Sequence, residues 1–385
     1  MRGDGSLFVS AGEVSGDHYI ARVVAALREK GFDAPIYGLC GAESRAAGVD
    51  CRWRSERLHL IGVSEVLSAL PGLLSLKREI QEDVVRRRPS VLLLADSPDF
   101  HMPLVRALRR DGYRGRVLYI SPPSVWAWRS YRVRELALHF DECLPLFRFE
   151  HDFLRASRCA SLWQGHPLVE DFSHFVPDRG AVLGGIRNAK AGFDPEKIVA
   201  LLPGSRRGEI EQLCPILEAV YRSLDGAGCS PVFSVAPGLS DRAEGFLKGR
   251  LQAEGLRYYE GPGRNLMEVS RVAAGSSGTA TAEALLLGRY MVVMYRLRPL
   301  SALIGKMFLR HLFFAIPNLL AKEMFYPELI QEAATAAAVE RELMAWLRDE
   351  AERKKKEKKM KELVERMGRP GAYDFWATRV LEALS

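Results

Sequence analysis

Arg271–Tyr295 reads RVAAGSSGTATAEALLLGRYMVVMY, and its grammar decides the fold. A short apolar run ends in Gly275-Ser276-Ser277-Gly278-Thr279. A helical pattern follows at once from Ala280 to Leu287, Gly288 stops it, and a second apolar run covers Tyr290 to Tyr295. This is strand, glycine turn, helix, glycine stop, strand. The turn would offer backbone N–H groups and the hydroxyls of Ser276, Ser277 and Thr279 at a helix N-terminus, where partial positive charge favours an anion. Glu283 falls four residues after Thr279 and so can share its helical face. A phosphate held by the turn and a ribose hydroxyl held by Glu283 would suit that geometry. A plain glycine-rich connection with an exposed Glu would suit it equally well.

A second unit of the same kind shifts the balance. Ile198–Leu202 is a β-like run that breaks at Pro203-Gly204-Ser205-Arg206-Arg207-Gly208, after which Glu209–Leu213 opens a helix. A buried strand that delivers Ser205 and Arg206 to its carboxyl end puts a guanidinium where open α/β sheets bind ligands. Arginine suits a diphosphate because its fork can bond two oxygens at once. One of Arg206 and Arg207 is then expected to be simple surface charge.

Working outward, the first half repeats the pattern. Leu7-Phe8-Val9 reads as a strand, Ala11–Asp17 as a turn and His18–Lys30 as a helix stopped by Gly31. Ser90–Ala95 and Arg116–Ile120 are further strands, ending in Asp96-Ser97-Pro98-Asp99-Phe100 and in Ser121–Arg129. Strands alternating with helices predict a parallel sheet covered on both faces, with all carboxyl ends at one edge. A polar break spans about Glu170 to Asp194 before the grammar restarts. The expected fold is α/β, two Rossmann-like doubly wound parallel-sheet domains with a cleft between them.

Composition sets the outer bounds. A chain of 385 residues exceeds one ordinary core. With 48% hydrophobic and 27% charged residues it is globular, and a formal net charge of +7 permits an anionic partner without choosing one. The six cysteines form no CxxC or Cys/His cluster, so no metal site and no disulfide framework are expected, and a reducing cytoplasm fits. The N-terminal apolar run is too short for a signal peptide. No stretch reaches about 18 uninterrupted apolar residues, so no spanning helix is expected. Two apolar segments stand out, Leu58–Leu76 with Lys77, Arg78 and Arg86-Arg87-Arg88 behind it, and Ser301–Leu320 interrupted by Lys306, Arg310 and His311. Each reads as a core helix or as an interfacial surface. Asp349–Arg366 carries Arg353-Lys354-Lys355-Lys356 and reads as a solvated helix face, with no nucleic acid as partner.

Within the first half, Asp96 and Asp99 flank Ser97-Pro98 at a strand end. One is expected to cap or brace the turn and the other to accept a proton from a substrate hydroxyl. Asp99 is preferred as the base because it lies further beyond the strand, after a proline that turns the chain outward. Ser15 and Asp17 form either a cap or part of the site, and Glu13 and Asp17 are the reserve candidates for the base. Trp126, Trp128, Arg129, Tyr131 and Arg132 make an aromatic–basic loop suited to an amphiphile or a stacked ring.

Taken in order, these segments resemble the lipid-A-disaccharide synthase family from end to end. The resemblance runs through AGEVSGD at Ala11–Asp17, IGVSEVL at Ile61–Leu67, DSPDF at Asp96–Phe100 and PSVWAWR at Pro123–Arg129. It continues through GHPL at Gly165–Leu168, LLPGSRRGEI at Leu201–Ile210, SSGTATAEA at Ser276–Ala284, PN at Pro317–Asn318 and PELIQ at Pro327–Gln331. Leu146–Glu150 departs from the shorter Pro-Phe-Glu usual there. The resemblance implies a GT-B fold with an acceptor-binding domain at 1–170, a UDP-sugar-binding domain at 195–344, and C-terminal helices at about 345–385 crossing back to the first domain. It implies transfer of 2,3-diacylglucosamine from UDP to 2,3-diacylglucosamine 1-phosphate (lipid X), giving a β-1,6-linked disaccharide 1-phosphate. It adds Asn318 and Gln331 to the UDP-sugar site. It further implies a cytoplasmic protein held peripherally at the inner membrane, and a homodimer exchanging C-terminal segments. Inversion at the sugar carbon needs a base behind the attacking hydroxyl and charge stabilisation of the diphosphate. No Asp-x-Asp cluster suggests a metal or other cofactor, so cationic side chains are expected to suffice. Another UDP-sugar enzyme of this fold, an epimerase or a transferase with a soluble acceptor, is the nearest rival, and a basic nucleic-acid binder the rival of another class.

Overall fold

The apolar runs that open each strand–turn–helix unit are buried along their whole length, as expected of parallel strands covered on both faces. The structure is a computed structural model that describes residues 5–59, 66–189, 192–296 and 313–385. It divides into two compact units, one formed by residues to Ser173 with Met367–Ser385, the other by His174–Arg366.

In the first unit, β1 (Leu7–Ala11), β2 (Ile36–Cys40), β3 (Asp50–Arg54), β4 (Val91–Ala95), β5 (Arg116–Ile120) and β6 (Glu142–Leu144) lie in the order β3-β2-β1-β4-β5-β6. All pairs are parallel. The chain reverses its direction of winding between β1 and β4, and such a switch point opens a crevice at the strands' carboxyl ends. The second unit repeats the plan. Its strands β7 (Ile186–Arg187), β8 (Ile198–Leu202), β9 (Ser230–Val235), β10 (Tyr258–Glu260), β11 (Val272–Ser276), β12 (Met291–Tyr295) and β13 (Glu328–Ile330) run β13-β12-β11-β8-β9-β10-β7. Among the described residues, only β7 is antiparallel to its neighbour. The switch point here lies between β8 and β11, whose backbones approach so closely that a Cβ on Gly275 would stand 2.1 Å from the carbonyl oxygen of Leu202.

The returning segment is shorter than expected. Of the region from about 345, only residues after Arg366 belong to the first unit. Helix Ala336–Arg348 lies on helix Arg207–Gly226 and β11 instead. Its Trp346 stacks on Tyr290 with ring centroids 4.2 Å apart and donates its indole N–H to the Arg271 carbonyl. Helix Glu350–Glu365 is a largely solvated charged helix that buries Met360 and Leu363. Helix Ala372–Leu384 then packs on helix Val14–Glu29, because Tyr373, Trp376, Ala377 and Val380 recur at helical spacing and join the core of Tyr19, Ile20, Val23 and Val24. Burying Trp376 contributes roughly 3 kcal/mol. Arg379 fixes the helix's orientation through bonds of 2.7–3.2 Å to the Glu142 carboxylate.

Of the two apolar segments, residues 60–65 and 301–312 lie outside the described residues. Helix Val66–Arg87 buries Leu76, Ile80 and Val84 and leaves Leu70 and Leu74 exposed. Among the described residues no helix is long and apolar enough to cross a membrane.

Candidate active site

At the switch point of the second unit, the turns after β8 and β11 enclose a cavity of about 300 Å³. Ser205 and Arg206 line it from one turn, Ser276, Ser277, Gly278 and Thr279 from the other, and Glu283 from the helix beyond. Helices Arg207–Gly226 and Thr279–Leu286 both start at this cavity, and neither has a side-chain cap at its N-terminus. A helix N-terminus without such a cap has N–H groups and partial positive charge to offer an anion. Gly204 is required here. Its φ is +111°, and a Cβ would press on the Glu209 carboxylate at 2.5 Å. The Ser276 hydroxyl donates to that carboxylate at 3.3 Å, and the Ser277 hydroxyl to the Phe314 carbonyl at 3.0 Å, which ties the two turns and the segment after residue 312 together. Tyr295 and Phe314 stack beside them at 4.8 Å.

Two expected ligands of this site are not in the cavity lining. Asn318 is fully buried. Its carbonyl oxygen accepts the amides of Phe325 and Tyr326 at 2.9 and 2.7 Å, and its amide donates to the Tyr326 carbonyl and to Glu328, both at 2.8 Å. With its polar atoms so engaged, Asn318 braces a turn. Gln331 follows β13 with φ of +54°. Conversely, Glu209, Ser234, Ala236 and Gly263 line the cavity, although sequence reasoning does not single them out. Ser234-Val235-Ala236-Pro237-Gly238 is a strand end running into a Pro-Gly turn, which is the signal that could have found Ser234 and Ala236.

At the switch point of the first unit, β1 and β4 deliver a second cluster. The Asp96 carboxylate accepts the Gly12 and Glu13 amides at 3.0 and 3.2 Å, so it caps the start of helix Val14–Glu29 from another strand. The fit depends on missing side chains, since a Cβ on Gly16 would fall 1.7 Å from Asp96 Oδ2 and one on Gly12 1.9 Å from Ser97 Oγ. Burial pushes the Asp96 carboxyl up to about 7, against the opposing pull of these hydrogen bonds. Asp96 and Ser97 have φ of +52° and +44°, two consecutive left-handed non-glycine residues. Such backbone persists only where its surroundings enforce it. The enforcing contacts converge on the Asp96 carbonyl, which accepts the Tyr119 hydroxyl at 2.7 Å and His101 Nδ1 at 2.8 Å. Since Nδ1 must carry the proton, Nε2 accepts the Ser10 hydroxyl at 2.7 Å. Burial lowers the His101 imidazole to about 4, so it stays neutral.

Asp99 stands apart from this buried network. It lies in the first turn of helix Pro98–Arg110 with its side chain 74% exposed. Its Oδ1 receives Arg129 Nη1 at 2.9 Å and also Arg132 Nη2. Trp126 is turned inward and donates its indole N–H to Glu150 at 3.1 Å, while burial raises the affinity of Glu150 for a proton. Trp128 and Tyr131 remain exposed. Ser15 is exposed in the first helical turn. Asp17 by contrast is only 4% exposed. Its carboxylate accepts the amides of Gly41 and Glu43 at 2.7 and 2.9 Å, so Asp17 caps helix Ala42–Ala46.

Two parallel-sheet α/β units are the architecture this chain shares with GT-B glycosyltransferases and epimerases. A solved UDP-GlcNAc 2-epimerase from Neisseria meningitidis, bound to UDP-GlcNAc, shares the fold with a TM-score of 0.64 over 98% of this chain and 100% of its own, at 10% identity. The family model for lipid-A-disaccharide synthetase matches residues 7–379. The lipid-A-disaccharide synthase of Myxococcus xanthus is 33% identical over 383 residues, 98% of this chain and 97% of the relative. That of Azotobacter vinelandii is 36% identical over 341 residues, 88% of each chain. The chain belongs to the lipid-A-disaccharide synthase family. The activity of that family is the condensation of UDP-2,3-diacylglucosamine with 2,3-diacylglucosamine 1-phosphate, which releases UDP and the β-1,6-linked disaccharide 1-phosphate.

Proposed function

We propose that the cavity of the second unit holds the UDP of the donor and that Asp99 of the first unit is the general base for the acceptor. The observation that carries the donor assignment is the convergence of Arg206, the turn at Ser276–Thr279 and two uncapped helix N-termini on one cavity. Fixed N–H dipoles and a guanidinium stabilise the diphosphate as the glycosidic bond breaks, where charge grows on the departing oxygen. Glu283, four residues after Thr279, accepts from a ribose hydroxyl. Asn318 supports the site by bracing the turn that carries Glu328, whose carboxylate takes the Phe314 and Ala315 amides at 2.8–3.1 Å.

The acceptor's 6-hydroxyl attacks the anomeric carbon in line, the bond to the diphosphate breaks on the opposite face, and the hydroxyl proton passes to Asp99. Exposure at a helix N-terminus supports Asp99 in this role, and the engagement of both Asp96 oxygens supports Asp96 as a brace. Asp99→Asn should lower turnover by at least about 100-fold at unchanged melting temperature. A second reading has its own observation, the Asp96 carboxyl near 7, which suits a base at neutral pH. A kcat limb near pH 7 that Asp96→Asn abolishes, with Asp99→Asn active, would transfer the role.

Peripheral attachment to the inner membrane from the cytoplasmic side is also proposed. Exposed Leu70 and Leu74, with Lys77, Arg78 and Arg86–Arg88 following, support it. In the proposed exchanged homodimer, helix Ala372–Leu384 of one protomer would occupy the same bed on its partner's helix Val14–Glu29.

A further inference from the structure

Two guanidiniums, those of Arg129 and Arg132, converge on a single oxygen of Asp99. The cluster carries two positive charges against one negative, so a net cationic charge is left over. Its parts are unequally held. The Arg132 side chain is 15% exposed and Arg129 39%, whereas Asp99 is 74% exposed. Arg129 is further fixed by left-handed backbone, φ +50°, and lies 5.4 Å from the Trp128 ring centroid. The arginines are thus the anchored half and the carboxylate the displaceable half, and an exposed ion pair holds its partner by only about 1 kcal/mol or less. A phosphate monoester dianion carries two charges on three terminal oxygens, and matches guanidinium forks better than one carboxylate oxygen does. The neighbouring exposed side chains of Trp128 and Tyr131 suit a sugar ring attached to it.

We infer that Arg129 and Arg132 bind the 1-phosphate of the acceptor monosaccharide, and that their transfer from Asp99 to this phosphate frees the carboxylate to take the 6-hydroxyl proton. The inference rests on the proposed role of Asp99 as base. It makes the acceptor phosphate a requirement for chemistry as well as for binding. As the new C1–O6 bond forms, the proton moves from O6 to Asp99, and the electron pair of the breaking C1–O bond leaves with UDP.

The test compares kcat/KM for 2,3-diacylglucosamine 1-phosphate with that for the same acceptor bearing a free 1-hydroxyl, both with UDP-2,3-diacylglucosamine. Wild-type protein should prefer the phosphorylated acceptor by at least about 100-fold, with part of the preference in kcat. Arg129→Gln and Arg132→Gln should each reduce that ratio about tenfold or more, with KM for the UDP-sugar unchanged. Phosphite dianion added to the unphosphorylated acceptor should raise wild-type turnover and have little effect on Arg129→Gln, whose more exposed side chain is replaced without touching Arg132, which keeps the test valid if Arg132→Gln folds poorly. Wild-type discrimination in both single variants would overturn the inference. So would loss of binding to anionic phospholipid vesicles with an unchanged ratio, which would give the arginines to bilayer phosphates. Failure of the Asp99 reading is distinguishable, because it appears as an active Asp99→Asn enzyme on the phosphorylated acceptor.

Discussion

Removing the groups that hold the Asp96 carbonyl should show a coupling that neither single change reveals. The carbonyl accepts Tyr119 Oη at 2.7 Å and His101 Nδ1 at 2.8 Å, and His101 also accepts the buried Ser10 hydroxyl at 2.7 Å. Tyr119→Phe deletes one of two bonds to an oxygen that keeps the other, so it should cost about 1 kcal/mol. His101→Leu removes the second bond and also strands the Ser10 hydroxyl, a buried unpaired group, for a total of roughly 2–3 kcal/mol. Together they leave the carbonyl without either side-chain donor, and the penalty for an orphaned buried acceptor appears only then. The double variant should therefore exceed the sum of the singles by about 1 kcal/mol or more. Urea unfolding at constant pH measures the cycle, with m-values checked for constancy. The same variants should lower kcat far more than they raise KM for the acceptor, because the left-handed Asp96–Ser97 turn that launches helix Pro98–Arg110 loses its enforcement. Additivity within about 0.3 kcal/mol would refute the claim that these two side chains act on one strained carbonyl.

Three further outcomes are expected. Arg206→Ala should weaken UDP binding by about 2 kcal/mol, roughly 30-fold, as for a lost charge-assisted bond, and Glu283→Ala should weaken it less; unchanged affinities in both by calorimetry would remove UDP from this cavity. Burial raises the Asp96 carboxyl from the ordinary 3.8 to about 7, so the fold retains a proton that the unfolded chain releases. Its contribution is therefore full below about pH 4 and fades as pH rises through 7, and the stability of wild type relative to Asp96→Asn should fall by about 2 kcal/mol between pH 4 and 8, the partial exposure of the residue discounting the full shift; a pH-independent difference would contradict the buried placement. Leu70→Asp with Leu74→Asp should abolish binding to anionic vesicles that high salt only weakens, and retained binding would move the membrane contact elsewhere.

The parts of this protein legible in its sequence are those whose cause is local. Continuous apolar runs such as Ile198–Leu202 and Val91–Ala95, each ended by a glycine or aspartate turn, specify covered parallel strands and the edge where ligands bind. Seven of the expected donor residues accordingly line one cavity. The misreadings involve partners distant in the chain. Helix Val14–Glu29 starts before His18 because its cap is the carboxylate of Asp96, over 80 positions away. Asp17 reads in the sequence as either a cap or a site residue, and only the fold brings up Gly41 and Glu43, whose amides take its oxygens. Asn318 is spent on Tyr326 and Glu328. The charged run at Glu350–Glu365 has little apolar periodicity, so nothing in it says which unit it will join. Ser10 and His101 lie 91 residues apart, and no local pattern pairs them.

The central claim is that this chain joins two acylated glucosamines at the expense of a UDP bond. The most direct measurement is incubation of purified protein with UDP-2,3-diacylglucosamine and radiolabelled 2,3-diacylglucosamine 1-phosphate, followed by chromatography of the lipid, assay of UDP and NMR of the new linkage. One UDP should be released for each disaccharide 1-phosphate formed, with a β-1,6 linkage, and both should be lost in Asp99→Asn. Release of UDP without disaccharide, or recovery of a C2-epimerised sugar in its place, would contradict it.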